Sequence, residues 1–345
     1  MLLEVWIAAV ISIFSVLAGG QFIAPILAQI GFVAQDINKR RRPIIPASGG
    51  IILIFGVFLG VIALIFSLNY FISAQINTEA LLIALVSVIA ISFIGFLDDM
   101  MGNRIRTSKE DTKKMAKNYI LFNGGIKQWQ KPLLTLIAAI PLMAINWGAP
   151  VINLPFIGGI QLNQLLYAFV IVPLAVVFSA NVFNMLEGLN GICSQMGLVV
   201  FIALAIFAYH TGAYTAFALA SIFAGSLIGY AFYGSYPAKV LPGDSLTYMV
   251  GSGFAATVII GNMQVLGILL LIPWIAEFFL KARARFHASS WGLIKKDGRL
   301  GCAYKKVYSM THIFLRTGRY REWEIVAMLT AMEAVIAAIS LILVW

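Results

Sequence analysis

Charged side chains are scarce in this sequence. Only 11% of its 345 residues are Asp, Glu, Lys or Arg, whereas 61% are hydrophobic. Soluble domains average about 25% charged and about 45–50% apolar residues. A chain with so little charge and a mean hydropathy of +0.93 requires lipid as its solvent. This composition excludes a soluble domain. It also excludes a peripheral nucleic-acid-binding protein, despite the net charge of +10.

Cysteine is scarce as well, and its two occurrences are far apart. Cys193 and Cys302 fit neither a disulfide framework nor a metal-binding spacing, so we expect reduced thiols. A signal peptide is also not expected. The first apolar stretch begins at Val5 with no basic region before it and no small-residue cleavage site after it. We expect this stretch to be a true membrane span.

Long apolar runs dominate what is present. A helix needs about 20 apolar residues to cross a bilayer. Ten stretches approach this length: Val5–Val33, Gly49–Tyr70, Ala80–Leu97, Pro132–Trp147, Asn163–Phe183, Ile192–Tyr209, Ala213–Tyr233, Ser245–Ile260, Val265–Leu280 and Val326–Val344. These runs lack the polar alternation of transmembrane strands. The sequence therefore predicts an all-α integral membrane protein of about ten transmembrane helices, forming a single domain over residues 1–345.

The positive charges are confined to alternate loops. If ten spans are present, all 24 Lys and Arg residues lie on one side of the membrane. By the positive-inside rule, that side is the cytosol. The predicted cytosolic loops are residues 34–48, 98–131, 184–191, 234–244 and 281–325. Both chain termini are then expected on the outer side.

Five polar clusters interrupt the apolar background, each at the inner end of an odd-numbered predicted helix. They are Asp36–Arg42, Gly95–Asp99, Asn181–Gly191, Leu241–Ser245 and Arg283–His287. The clusters are distant in the chain, but this topology brings them to one surface. The sequence therefore predicts an active site at the cytosolic face.

The residue types in these clusters suit phosphate chemistry. Asp98, Asp99, Asp244 and Asn184 offer hard oxygen ligands of the kind that Mg²⁺ prefers. Neighbouring Lys and Arg side chains suit phosphate oxygens. A metal, carboxylates and basic groups are the usual components of phosphoryl-transfer sites.

Each cluster also has a plainer interpretation. Asp98 and Asp99 could be a solvated helix end, and Gly243–Ser245 could be an N-cap turn. The run Lys39–Arg42 could serve only as a topology signal. Glu277 lies four residues before Lys281 and could simply pair with it.

Three motifs, in this order, resemble those of the polyprenyl-phosphate N-acetylhexosamine-1-phosphate transferases. They are Gly95-Phe96-Leu97-Asp98-Asp99, Asn181-x-x-Asn184-x-x-Glu187-Gly188-x-Asn190-Gly191 and Gly243-Asp244-Ser245. The resemblance covers nearly the whole chain. Arg283-Ala284-Arg285-Phe286-His287 is similar to the Arg-x-Arg loop of the dolichyl-phosphate branch, where bacterial members carry a His-rich cluster. Asp36-Ile37-Asn38-Lys39 also resembles that branch.

The resemblance implies that GlcNAc-1-phosphate is transferred from UDP-GlcNAc to dolichyl phosphate, with release of UMP. It implies Mg²⁺ as the cofactor, with Mn²⁺ as a substitute, and it leaves a homodimer open. The implied roles are catalysis by Asp98, Asp99 and Lys131, metal binding by Asn184 and Asp244, phosphate and sugar binding by Arg283, Arg285, Asn181 and Glu187, and uridine binding by Asn190, Gly191 and Asn38. Arg104 or Arg106 could replace Lys131 as the phosphate-binding cation.

Alternatives remain at this level. A transferase of the same superfamily could use another polyprenyl phosphate or another UDP-sugar. A transporter is a further alternative, but transporters tend to place coupling charges near the membrane midplane. For the transfer itself, direct in-line attack is favoured over an aspartyl intermediate on Asp98 or Asp99. The compact length favours an archaeal cell membrane over the endoplasmic reticulum.

Overall fold

The long apolar runs form helices in the computed structural model, which describes residues 2–71, 75–102, 126–127, 129–144, 151–154 and 158–345. In lipid, a helix satisfies its own backbone groups, which makes it the stable state for such runs. The helices are α1 (Leu2–Gln29), α2 (Gly50–Tyr70), α3 (Thr78–Gly102), α4 (Gln130–Ala144), α5 (Gln164–Leu166), α6 (Val172–Leu186), α7 (Ile192–His210), α8 (Tyr214–Gly234), α9 (Gly243–Ile260), α10 (Gln264–Leu270), α11 (Ile272–Arg283), α12 (Met310–Leu315) and α13 (Glu322–Val344). A π-helical turn, Tyr167–Ile171, joins α5 to α6. The prediction of an all-α integral membrane protein is confirmed.

The number of spans differs from the prediction. Among the described residues, seven helical segments are long and apolar enough to cross a bilayer: α1, α2, α3, α7, α8, α13 and the continuous segment Gln164–Leu186 that contains α5 and α6. α10 with α11 makes an eighth if the pair counts as one span. The prediction of about ten therefore exceeds this count, and the difference lies in two helices. The 15 residues of α4 fall short of the usual length. α9 has 18 residues, carries the polar Asp244 and Ser245 in its first turn, and is buried along nearly its whole length.

A sharp bend divides the predicted helix Val265–Leu280. α10 and α11 meet at an angle of 57°. Pro273 lies in the first turn of α11. Proline has no backbone N–H and its ring clashes with the preceding turn, so the helix breaks there. The break gives α11 its own direction, which ends at Arg283.

The ends of α3 identify two faces of the helix bundle. Ahead of α3, the backbone N–H of Asn77 donates to the Thr215 hydroxyl at the start of α8, at 2.9 Å. At the other end of α3, Asp99 accepts from the backbone N–H of Asp244 at the start of α9, at 2.8 Å. We call the second end the polar face. Its location in the cytosol remains a prediction from the charge pattern.

The described part of the chain also forms three short antiparallel hairpins outside the helices. They are β1 (Val33–Gln35) with β2 (Ile44–Pro46), β3 (Val151–Leu154) with β4 (Gly158–Gln161), and β5 (Leu293–Ile294) with β6 (Leu300–Gly301). The first hairpin carries residues Asp36–Arg42 in its turn. The third belongs to the loop between α11 and α13, residues 284–321, which we call the late loop.

Close backbone packing fixes the start of α9 against α2 and α3. A Cβ atom added at Gly95 of α3 would lie 2.4 Å from the Asp244 carbonyl oxygen, and one added at Gly50 of α2 would lie 2.4 Å from the Ser245 carbonyl carbon. Only glycine allows helices to approach this closely. The glycine that precedes the Asp98–Asp99 pair therefore sets the distance between that pair and Asp244.

Candidate active site

Asp99 caps the start of α9. Its two carboxylate oxygens accept from the backbone N–H groups of Asp244 at 2.8 Å and Ser245 at 3.2 Å. The first N–H groups of a helix lack partners within the helix, and a negative charge there is favourable. A Cβ atom at Gly243, which has a φ of +66°, would lie 2.4 Å from a carboxylate oxygen of Asp99. Both carboxylate oxygens of Asp99, which the sequence predicted to be catalytic, therefore hold the start of α9.

Asp98 and Asp244 share one lysine. The Nζ atom of Lys131, in the first turn of α4, lies 2.5 Å from Oδ2 of Asp98 and 2.8 Å from Oδ2 of Asp244. The side chain of Asp98 is 8% exposed and that of Asp244 is 25% exposed. The other oxygen of Asp98 accepts from the backbone N–H of Ile126 at 2.5 Å. Asp244 is therefore the carboxylate of this group that solvent or a ligand reaches most easily.

We call Asp98, Asp99, Lys131 and Asp244 the carboxylate cluster. The structure brings all four together, as the sequence predicted. Arg104 and Arg106, the alternatives to Lys131, lie outside the described residues.

Two asparagines of α6 line the same region. Asn184 donates through Nδ2 to the hydroxyl of Thr247 at 3.0 Å, one turn beyond Asp244 on α9. Asn181 donates to the hydroxyl of Thr135 at 3.4 Å, one turn beyond Lys131 on α4. Their helical spacing puts both amides on one face of α6. The sequence did not identify Thr135 and Thr247, because isolated threonines in apolar helices carry no pattern.

The donor set at Asp244 suits a hard divalent cation. If all three acids of the carboxylate cluster are ionised, Lys131 alone leaves two negative charges uncompensated. Within the described ranges, His, Cys, Asp and Glu do not form a group of three or more that could hold a metal by themselves. Mg²⁺ usually takes only one or two carboxylates and completes its shell with water and substrate phosphates. The Asp244 carboxylate and the Asn184 amide oxygen fit that role.

A second polar cluster lies at the same face. Asn190 donates through Nδ2 to Asp36 at 2.7 Å and through its backbone N–H to Glu322 at 2.8 Å. Lys39 pairs with Asp36 at 3.2 Å and with Glu322. Asn38 donates to the Gly188 carbonyl at 2.7 Å and accepts from the Gly292 N–H at 3.1 Å. We call Asp36, Asn38, Lys39, Asn190 and Glu322 the anchor cluster.

The anchor cluster uses two side chains predicted to bind uridine. Asn38 is 4% exposed and Asn190 is 5% exposed. Their amide groups bond to other parts of the chain and hold the first hairpin, the 187–191 loop and the late loop together. The third predicted uridine contact, Gly191, has a φ of +103°, which favours glycine. Gly191 is buried, and its carbonyl oxygen accepts from the backbone N–H of Gln195 at 2.9 Å and from the Ser194 hydroxyl at 3.2 Å.

Glu187 bonds within its own loop. Its carboxylate accepts from the backbone N–H of Cys193 at 3.0 Å. Desolvation raises the pKa of Glu187 to about 8, despite the opposing effect of that hydrogen bond. This carboxyl therefore holds a proton near neutral pH, which suits contact with an electronegative group better than a charged carboxylate would.

Arg283 and Arg285 are exposed at the end of α11 and the start of the late loop. Arg283 donates to the Val307 carbonyl and lies over the Tyr308 ring, 5.3 Å from its centre. Arg285 has a φ of +52°. Among the contacts of the described residues, neither arginine reaches the carboxylate cluster. The structure thus places both on the polar face without joining them to Asp244.

A buried ion pair fixes the base of the late loop. Glu277 lies 3.6 Å from Lys281, as their spacing suggested, and it also accepts from the Ser309 hydroxyl at 3.0 Å. Lys281 donates to Ser290 at 2.8 Å and to the Ala288 carbonyl at 2.7 Å. These bonds tie both ends of residues 284–309 to α11. Serines in a loop carry no spacing signal, so the sequence did not reveal Ser290 and Ser309.

Comparison with known proteins identifies the chain's relatives. Residues 81–262 match the model of glycosyl transferase family 4. That range contains the carboxylate cluster and Asn190 but not the other four members of the anchor cluster. A protein of Saccharolobus solfataricus is 36% identical over 317 residues, which cover 90% of this chain and 88% of that protein. A protein of Sulfolobus acidocaldarius is 32% identical over 343 residues, covering 99% and 96% of the two chains.

The names of these relatives agree with one another. Both archaeal proteins are provisionally named UDP-N-acetylglucosamine–dolichyl-phosphate N-acetylglucosaminephosphotransferase. A more distant relative from Clostridium perfringens, named phospho-N-acetylmuramoyl-pentapeptide-transferase, is 26% identical over 282 residues. That match covers 79% of this chain and 81% of the relative.

Proposed function

This chain belongs to glycosyl transferase family 4, and we propose that it transfers N-acetylglucosamine 1-phosphate from UDP-N-acetylglucosamine to dolichyl phosphate, releasing UMP. The proposal rests on the shared contact of Asp98, Lys131 and Asp244 at the polar face of a membrane bundle. A lipid acceptor keeps its tail in hydrocarbon while its phosphate reaches that face. The archaeal relatives favour an archaeal cell membrane as the location.

The reaction needs neutralisation of charge more than it needs a strong base. An oxygen of the acceptor phosphate attacks the sugar-bearing phosphorus of the donor, and the bond to the UMP phosphate breaks with its electron pair leaving on UMP. Both reactants are anionic, so positioned cations lower the barrier most. When bound, Mg²⁺ supplies Lewis-acid compensation of the diphosphate charge.

The residues of this chain have distinct roles in the proposal. Asp244 and Asn184 hold the metal ion, and Lys131 offers its ammonium to a phosphate oxygen. Asp98 orients Lys131 and accepts any proton that the acceptor phosphate still carries. Asp99 keeps the start of α9, and so Asp244, in place. Arg283 at the end of α11 and Arg285 in the late loop bind the donor.

We propose direct in-line attack. A covalent intermediate on Asp99 would break two backbone hydrogen bonds that cap α9. One on Asp98 would break its pairing with Lys131. Transfer with a chiral phosphate tests this: inversion at phosphorus is expected, and net retention would overturn the one-step mechanism.

The function is tested with purified protein, radiolabelled UDP-N-acetylglucosamine and dolichyl phosphate. We expect a labelled lipid and UMP in the presence of Mg²⁺ or Mn²⁺, and loss of both products with a chelator. A panel that replaces dolichyl phosphate with undecaprenyl phosphate, or the donor with other UDP-sugars, tests the second candidate suggested by the clostridial relative. Faster transfer with one of those substrates would reassign the substrate while keeping the reaction class.

A further inference from the structure

Glu322, the first residue of α13, is buried between two partners from distant parts of the chain. Its side chain is 2% exposed. One carboxylate oxygen accepts from the backbone N–H of Asn190 at 2.8 Å, and the other pairs with Lys39. A buried carboxylate is costly unless it is paired and hydrogen-bonded. Glu322 has both kinds of partner.

The contacts of Glu322 close a ring. From Lys39 the ring continues to Asp36 at 3.2 Å, and from Asp36 to the side-chain amide of Asn190 at 2.7 Å. The backbone N–H of the same Asn190 returns to Glu322. Three chain segments thus meet in one network: the first hairpin, the 187–191 loop and the start of α13. Such networks specify a geometry when every member is satisfied.

Asn38 supports the same loop at a second point. Its amide group bridges the Gly188 carbonyl and the Gly292 N–H. The loop from Gly188 to Gly191 is therefore held at Gly188 by Asn38 and at Asn190 by the ring. Glycine has no side chain with which to fix this segment, so these outside contacts add to the hydrogen bonds that Leu189 and Gly191 make with the start of α7.

We infer that Glu322 is a positioning residue that sets the backbone of the 188–191 loop for the nucleotide part of the donor. This inference rests on the proposed function, because the donor is the ligand that the loop would meet. Glu322 does not itself touch the ligand, since both of its oxygens are engaged by the protein. It acts through Asn190, and it couples the late loop, which leads into α13, to the middle of the chain.

Transfer kinetics can distinguish this positioning role from simple packing. A packing residue would affect donor, acceptor and turnover alike, whereas a residue that shapes the nucleotide loop should affect donor binding first. Replacing Glu322 by Gln keeps an acceptor for the Asn190 N–H but removes the charge that pairs with Lys39. Replacing it by Ala removes both. The two variants therefore predict a graded effect on one kinetic constant.

The first test needs no activity. Hydrogen–deuterium exchange of peptides that cover residues 187–191 should be at least about tenfold faster in Glu322→Ala than in the wild type, because a charge-assisted hydrogen bond is lost. Glu322→Gln should fall between them. Glu324→Gln, in the same helical turn, is the matched control and should exchange normally. Unchanged exchange in Glu322→Ala would overturn the inference, even if the protein proved to have no transferase activity.

The second test uses transfer kinetics. Glu322→Ala should raise the KM for UDP-N-acetylglucosamine by about tenfold or more, with kcat and the KM for dolichyl phosphate changed by less than about threefold. A fall in kcat with unchanged donor KM would contradict the inference. If Glu322→Ala does not fold, Glu322→Gln and Lys39→Gln carry the test. Their effects on donor KM should be less than additive in the double variant, because both break one ion pair.

The two failures can be told apart. If the wild type makes no labelled lipid, the proposed function fails while the exchange experiment still decides the role of Glu322. If the wild type is active and substitutions of Glu322 leave the KM for the donor unchanged, the positioning role fails while the proposed function stands.

Discussion

Two clusters at the polar face surround a lysine with carboxylates, but they differ in what their oxygens do. In the anchor cluster, Asp36 and Glu322 are 3% and 2% exposed and bond to Lys39 and Asn190. In the carboxylate cluster, Asp244 is 25% exposed, and Lys131 faces both Asp244 and Asp98. The first arrangement is closed by protein groups. The second has a carboxylate that solvent or a ligand can reach.

This difference indicates how one protein uses similar residues for shape and for chemistry. Buried, fully bonded charges specify geometry, and their removal leaves partners unsatisfied. An accessible carboxylate beside a lysine can exchange its partners for a metal ion and phosphate oxygens. Substitutions in the two clusters should therefore fail in different ways.

The largest effect is expected at Asp244. Asp244→Asn keeps the size of the side chain but removes the charge that the proposed metal requires. Transfer should fall by at least about 100-fold, because charge compensation at the reacting phosphate is lost. The initial rate of labelled lipid formation measures it. Asp297→Asn, a change at an exposed acid of the late loop, is the control and should be active. Normal turnover in Asp244→Asn would remove the distinction between the clusters.

A smaller effect, on both transfer rate and stability, is expected at Lys131. Lys131→Gln leaves Asp98 and Asp244 facing each other without a cation, so we expect slower transfer and a loss of stability of about 3 kcal/mol. Thermal unfolding in detergent and steady-state kinetics measure the two effects. Lys127→Gln, at an exposed lysine four residues earlier and ahead of α4, serves as the comparison. Raised Mg²⁺ should restore part of the stability, and a variant as stable as the wild type at low Mg²⁺ would contradict the pairing.

Glu187 belongs to neither cluster, and we expect it to contribute to the pH dependence of stability. Its pKa in the folded protein is about 8, above its ordinary value of 4.5. Between these values the folded protein holds a proton that the unfolded chain has lost, so this contribution to stability falls as pH rises through the window and is constant above it. Glu187→Gln should reduce the slope of Tm against pH between pH 5 and 8. Parallel Tm curves for the two proteins would show that Glu187 titrates normally.

The smallest effect is expected at Glu333, which belongs to neither cluster. It is fully buried in α13, and within the described part of the chain neither carboxylate oxygen has a hydrogen-bond partner. Glu333→Leu should stabilise the protein by about 1–3 kcal/mol, because an unsatisfied buried polar group is removed. Thermal unfolding measures this, and transfer should not change. Glu333→Ala, which leaves a cavity, should stabilise less; a less stable Glu333→Leu protein would indicate an essential role for the carboxyl.

The general position of the site could be predicted from the sequence, because helix length and charge distribution are local properties. They placed Asp98, Asp99, Lys131 and Asp244 at one face, where the structure finds them in contact. Hydrogen bonds between distant segments are not encoded in local spacing. For that reason Asp99 was predicted to be catalytic without its role as the cap of α9, and Asn38 was predicted to bind uridine although the fold buries it.

The positions where helices end and break were also difficult to predict from the sequence. α3 continues to Gly102, so Asp98 and Asp99 lie in a helix and not in the predicted loop 98–131. The break before Pro273 interrupts a run that is apolar throughout, so hydropathy alone did not reveal it. Glu322 is an acid in a strongly basic loop, and nothing in the sequence singled it out. Its importance appears only when α13 is packed beside Asn190.

The most direct test of the account is a structure of the protein with Mn²⁺ and UDP-N-acetylglucosamine, in which anomalous scattering locates the metal. We expect the Mn²⁺ peak within about 2.5 Å of an Asp244 carboxylate oxygen, with the diphosphate beside Lys131 and the anchor cluster unchanged. A metal peak between Asp36 and Glu322, or a diphosphate at the opposite end of the bundle, would contradict the assignment of chemistry to one cluster and shape to the other.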